Sequence, residues 1–120
     1  MEIIITAWAL DSYLEMKHNR VFSKEEYKNT IRPDVLLLKN YPDDSKFKSE
    51  KFWSIATDQS GNKIVDGYKM KWHQIGNGKV QLRLTIGIFS EAFLCEAYVK
   101  ENPKAEKRKM ARFKVYLQKI

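Results

Sequence analysis

Apolar and polar positions change period several times along this chain of 120 residues, and each change marks an element. "MEIIIT" opens as a short apolar run of strand length. From Ala7 to Lys17 the apolar residues Ala7, Leu10 and Leu14 recur at helical spacing, with Trp8 and Tyr13 at the stripe's edge, which predicts a first helix. Ser23-Lys24-Glu25-Glu26 has the form of a capping box and starts a second, whose stripe is Tyr27, Ile31, Val35 and Leu38. Pro33 removes an amide donor inside that stripe, so a kink or a break into two short helices is expected. Tyr41-Pro42 closes the segment, and "YPDDSKFKSE" reads as a polar loop. "KFWSIA" (51–56) reads as a strand and "TDQSGNK" as a turn, followed by strands near 64–75, 79–89 and 93–100. Asn102-Pro103 caps a final helix whose stripe is Met110, Phe113, Leu117 and Ile120, with Lys104, Lys107, Arg108, Lys109 and Arg112 on its other faces. The pattern predicts a single α+β domain over 1–120, in the order β-α-α-β-β-β-β-α. Its sheet is expected to be antiparallel or mixed, of four to five strands, packed against two N-terminal helices and a C-terminal helix.

The turns give this sheet a register. If Ile75 faces Lys79 across Gly76-Asn77-Gly78, then Trp72 pairs with Leu82, Met70 with Leu84 and Tyr68 with Ile86. The other surface then sets His73 against Gln81, Lys71 against Arg83 and Lys69 against Thr85. A two-residue turn at Ser90-Glu91 adds Arg83 beside Tyr98, Thr85 beside Glu96 and Gln81 beside Lys100. It also extends the apolar surface with Leu82–Val99, Leu84–Ala97, Ile86–Cys95 and Ile88–Phe93. One face is apolar. The other gathers Lys69, Lys71, His73, Gln81, Arg83, Thr85, Glu96, Tyr98 and Lys100, and its Lys71–Arg83 pair sets like charges opposite each other at a cost in stability.

Charge sharpens that picture. Residues 1–60 carry nine Lys and Arg against ten Asp and Glu, whereas 61–120 carry thirteen against five, so the second half holds all of the net +7. A basic face of this kind attracts nucleic acid or an acidic partner protein. One cysteine excludes an internal disulfide and fits a reducing compartment. No apolar run approaches the roughly 20 residues of a membrane span, and the opening run lacks a basic leader and a cleavage site, so a cytoplasmic protein is expected.

Cleaving RNA through its own 2′-hydroxyl requires a base, an acid and cations around the phosphorane. His73 suits either proton transfer; Glu96 suits the base, and Tyr98 the acid if nearby cations lower its pKa. Arg83, Lys71 and Lys100 suit the phosphate, with Lys69, Lys104 and Arg108 as further RNA contacts. Plainer readings stand beside these: a solvated His73, an Arg83–Glu96 cross-strand pair, a Tyr98 ring covering the sheet edge, and a solvated C-terminal helix face. His18 suits a helix end, Cys95 a small core position, and the three tryptophans the core. No glycine-rich phosphate loop, nucleophile elbow, zinc set or two-metal carboxylate group is present, so an enzyme on this chain is expected to work without metal or cofactor.

Local patterns carry a family resemblance. "TAWALDSYLEM" looks like the opening strand and first helix of the RelE/ParE toxin superfamily, and "VLLLKNYP" is similar to the end of that family's second helix. "KVQLRLTIGIF" resembles the strand bearing the family's phosphate-binding arginine, here Arg83. "AYVKENPKAEKRKMARFKVYL" resembles the family's ending and puts Lys100 at the strand-end cation. The chain is most similar to the HigB-like and phage-type branch. The resemblance implies a type II toxin: a metal-free ribonuclease that cleaves mRNA, usually on the ribosome, and is neutralised by a cognate antitoxin. Two departures are Glu101, where a second basic residue is usual, and the inserted "SGNKIVDG". A non-catalytic nucleic-acid-binding module, or a protein-interaction domain such as a gyrase-directed ParE-like toxin or phage regulator, remains as an alternative.

Overall fold

β1 (Ile3–Ile5), β2 (Trp53–Thr57), β3 (Lys63–Gln74), β4 (Val80–Ile88) and β5 (Ala92–Val99) form one mixed sheet in the order β1-β5-β4-β3-β2. The computed structural model describes all 120 residues. β1 runs parallel to β5 at one edge, and the remaining pairings are antiparallel. The α+β class and the mixed five-stranded sheet agree with the alternation in the sequence.

Tyr68–Trp72 meet Leu82–Ile86 in the expected register, including Lys71 opposite Arg83. The end of that hairpin differs: Ile75 bridges Val80, and Gly76, Asn77 and Gly78 all take positive φ, so the connection holds four residues. A larger correction lies on β5. A bulge after Thr85–Glu96 sets Ile86 opposite Leu94 and Ile88 opposite Ala92, replacing the expected Ile86–Cys95 and Ile88–Phe93 pairs. Cys95 is the extra residue. It turns to the other face of the sheet, where it is buried with Ala56, Ile64, Tyr98, Met110 and Phe113, and burial pushes its thiol up to about 12.

Helix α1 (Ala7–His18) is capped by Thr6, whose hydroxyl accepts from the Ala9 amide at 3.2 Å and donates to the Leu94 carbonyl at 2.7 Å. Its expected stripe is displaced. Ala9 and Met16 are buried and Ser12 lies between them, whereas Leu10 and Leu14 remain 49% and 50% exposed. Ser12 tolerates that place because its hydroxyl donates to the Ala9 carbonyl and accepts from the Ala97 amide.

The second helical stretch, 24–40, begins on the expected capping box. It then widens into a π-helical turn over Tyr27–Ile31, resumes as α-helix over Arg32–Leu36 and tightens to a 3-10 turn over Leu37–Asn40. Pro33 accounts for the wide turn, since it cannot donate to Asn29 and its ring crowds that carbonyl. Ile31 and Leu38 are buried, as the stripe requires. Within the 41–50 loop, Ser45–Lys48 forms a short 3-10 turn that buries Phe47. Asp34, also buried, accepts from the Trp72 indole at 2.9 Å and pairs with Lys46 at 2.7 Å, which ties this stretch to β3.

The C-terminal helix, Pro103–Gln118, starts on the Asn102 cap and lays Met110 and Phe113 on the sheet face opposite α1. Ile120 falls beyond its last turn and is exposed. Helices therefore cover both faces of the sheet. Gly67 packs closely beneath that helix: a Cβ there would lie 2.8 Å from Ile64 Cγ2 and 2.9 Å from the Phe113 ring. Gly67→Ala is expected to cost about 1–3 kcal/mol in urea denaturation, through overpacking; an unchanged midpoint would mean that the helix yields freely.

Candidate functional site

Part of the polar face of β3, β4 and β5 lies beneath the C-terminal helix, and that cover decides the state of Glu96 and Tyr98. Arg83 is only 4% exposed, and Thr85, Glu96 and Tyr98 are also buried. The first half of the helix brings Glu106, the only carboxylate between Pro103 and Gln118, over the middle of the face. Glu106 Oε1 accepts from the Tyr98 hydroxyl at 2.7 Å and pairs with Lys69 Nζ at 3.1 Å, while Oε2 is buried without a partner.

These contacts change two expected roles. Burial first, then the hydrogen bond to Glu106, raise the Tyr98 pKa above its ordinary value. The condition for Tyr98 as an acid was a lowered pKa, so it fails: desolvation outweighs the nearby cations. Glu96 is gripped by Arg112 through two bonds, at 2.7 and 3.1 Å, and by Lys109 at 3.0 Å. A carboxylate held by two cations and buried beneath a helix is a poor base for a substrate proton. Nor does Glu96 pair with Arg83. Lys109 and Arg112, read from sequence as solvated, are the residues that lock it, and Lys109 also sits 5.7 Å above the Tyr98 ring.

A second group on the same face is not neutralised in this way. Arg83 donates to the Leu82 carbonyl at 3.2 Å and to Gln81 Oε1 at 2.9 Å, using two of its five N–H donors, and forms no ion pair. Burial lowers its pKa. Lys71, directly opposite on β3, is half-buried and unpaired; burial, then Lys69, Arg83 and Lys100, lower its pKa. Lys100 is exposed just beyond β5, where its amide donates to the Gln81 carbonyl. Lys69, Lys71, Arg83 and Lys100 thus form one cationic cluster; Glu106 beside it is already engaged, and Glu50 is near enough to Lys71 to offset part of the burial effect on it.

His73 follows Lys71 on the same side of β3 and is half-buried. Its Nε2 hydrogen-bonds the Lys51 carbonyl. A carbonyl only accepts, so Nε2 carries the hydrogen and Nδ1 keeps a lone pair in the neutral ring. Lys104 and Arg108 lie exposed on the first turns of the C-terminal helix and form no hydrogen bond or ion pair with these residues. No group of three or more His, Cys, Asp or Glu stands close enough to hold a metal. No helix is long and apolar enough to cross a membrane.

Sequence reasoning missed Glu106, Lys109 and Arg112 as partners of the sheet face. The signal was there: three residues at helical spacing, flanking Met110 and Phe113, on the side that must meet the sheet. It also missed a cleft of about 1110 Å³ on the α1 side, lined by Lys17, Arg20, Lys24, Lys28 and Arg32. On that side an apolar groove of about 760 Å³ runs between α1 and the 24–40 stretch, bordered by the exposed Ile5 and Leu10.

No protein-family model matches the chain, and no curated protein is significantly similar to it.

Proposed function

We propose that this protein is a RelE-like ribonuclease toxin that acts in the cytoplasm, binds mRNA on the ribosome and cleaves it without metal. The observation that carries the reading is the unpaired cationic cluster of Lys71, Arg83 and Lys100, with Lys69 beside it, on a partly desolvated sheet face. Like charges held together beneath a helix cost stability and are offset when a phosphate sits among them. In this reading His73 Nδ1 takes the 2′-hydroxyl proton, the 2′-oxygen attacks phosphorus, and the cations hold the phosphorane's charge. The 5′-oxygen leaves and takes its proton from water, because Tyr98 and Glu96 are both committed elsewhere. Lys104 and Arg108 extend the RNA contact along the helix. A cognate antitoxin would cover the apolar groove beside Ile5 and Leu10, since exposed apolar surface of this kind favours a protein partner.

In-vitro translation tests the reading. The wild-type protein is expected to stop translation and leave mRNA with 2′,3′-cyclic phosphate ends. His73→Ala should slow cleavage about 100-fold, the usual contribution of a positioned base, while RNA binding persists. Normal translation with the wild-type protein would overturn it.

The locked Glu96 and Tyr98 favour a second reading, a nucleic-acid-binding module that leaves RNA intact. It predicts unbroken RNA and an affinity that falls steeply with salt.

A further inference from the structure

The cleft on the α1 side has no place in that chemistry, and several of its cations stand where local stability does not favour them. Lys17 and Arg20 come from the end of α1; Lys24, Lys28 and Arg32 come from one side of the 24–40 stretch. None of the five pairs with a carboxylate. Arg20 occupies the first position past the end of α1 with φ 54°, where its amide bonds to the Lys17 carbonyl and the Val21 amide to the Met16 carbonyl. That helix-ending motif favours glycine, and an arginine there is strained. Lys24 sits in the first turn of its helix, the positive end of the dipole, where a cation is disfavoured. Lys24, Lys28 and Arg32 line one wall of the same cleft, so they repel one another.

The cleft is also held at a fixed width. Glu26 is its only acid, and both of its oxygens are occupied: Oε1 accepts from the Ser23 amide and Oε2 from the Gly76 amide at the β3–β4 hairpin tip. Helix start and hairpin tip are thereby tied together. The rings of Tyr13, Phe22 and Tyr27, packed 5.0–5.9 Å apart, line the cleft and give it aromatic surface against which a base can stack. The opposite side of the same hairpin carries Lys71, His73 and Arg83, and Lys79 lies exposed at its tip.

We propose that this cleft is a second RNA-backbone site, so that one RNA strand crosses the β3–β4 hairpin tip from Lys71 and Arg83 to the row of Lys24, Lys28 and Arg32. The inference rests on the RNA reading above. The aromatic surface beside the cations favours RNA, whose bases stack on rings while its phosphates meet the cations, over an acidic protein segment.

Fluorescence anisotropy with a 24-nucleotide single-stranded RNA, titrated from 50 to 300 mM salt, tests it. Lys24→Gln, Lys28→Gln and Arg32→Gln combined should weaken binding about 100-fold at 0.1 M salt and reduce the log–log salt slope by about 2. Arg20→Gly should weaken binding about fivefold with an unchanged or raised melting temperature, because glycine relieves the strained position. A triple variant with wild-type affinity and slope overturns the cleft while leaving the sheet-face reading intact. Wild-type affinity in Lys71→Gln, Arg83→Met and Lys100→Gln combined overturns the sheet face instead. A wild-type protein that binds no RNA overturns both. Equal competition by a 20-residue poly-glutamate peptide would assign the cleft to an acidic protein and overturn the RNA assignment.

Discussion

Under the toxin reading proposed above, Arg83→Met is expected to abolish translation inhibition while leaving the protein at least as stable as the wild type. Two consequences of burial meet in this one side chain. A guanidinium that is 4% exposed and has no carboxylate partner has lost its water without gaining an ion pair, so an apolar chain of similar length costs nothing to put there and can stabilise the fold. For a phosphate, the same desolvated fork is a strong ligand. Hydrogen bonds to charged groups contribute about 1.5–3 kcal/mol each, so losing a bidentate contact should cost about 100-fold or more in RNA affinity. RNA affinity and thermal melting measured on one preparation separate the effects. A variant that melts far lower would show that Arg83 is structural; one that still stops translation would remove it from the site.

Phe113→Ala should give the largest loss of stability, about 3–5 kcal/mol. Phe113 is fully buried at the centre of the cluster that fastens the C-terminal helix to the sheet, beside Met110, Ile64 and Cys95. A domain of this size holds about 5–15 kcal/mol in total, so the change removes a large share and should lower the melting temperature by roughly 12–20 °C. Phe113→Leu keeps most of the volume and should cost under about 1.5 kcal/mol. Urea denaturation followed by circular dichroism distinguishes the two. Equal small losses would show that the ion pairs of Glu96, rather than packing, hold the helix down.

How far the sequence could be read depended on whether each pattern had an alternative. Tyr68–Trp72 and Leu82–Ile86 alternate so strictly that a one-residue slip would bury Lys71 or Arg83 among apolar groups, and that register is the one observed. Past Glu96 the pattern lost its force. Leu94 and Cys95 are both apolar, so the bulge that exchanges them leaves no mark on the alternation. In α1 the buried line runs through Ser12, a polar residue satisfied by the Ala97 amide, while two leucines stay outside. Hydropathy alone ranks those positions the wrong way round. Period-two alternation also reveals nothing about what covers a polar face. That needed the C-terminal helix in place, with Glu106 reaching Tyr98 and with Lys109 and Arg112 reaching Glu96. The cleft cations escaped notice because a near-neutral first half conceals five unpaired cations behind carboxylates that lie elsewhere.

The edge pairing has a consequence for how the molecule is born. Ile3–Ile5 find their partners only in Ala92–Leu94, some ninety residues later in synthesis. Until that stretch has left the exit tunnel, the first strand has no neighbour, α1 lacks the strand it packs against, and Phe113 does not yet exist to seal the other side. A chain whose closing contacts span most of its length folds late and as a whole.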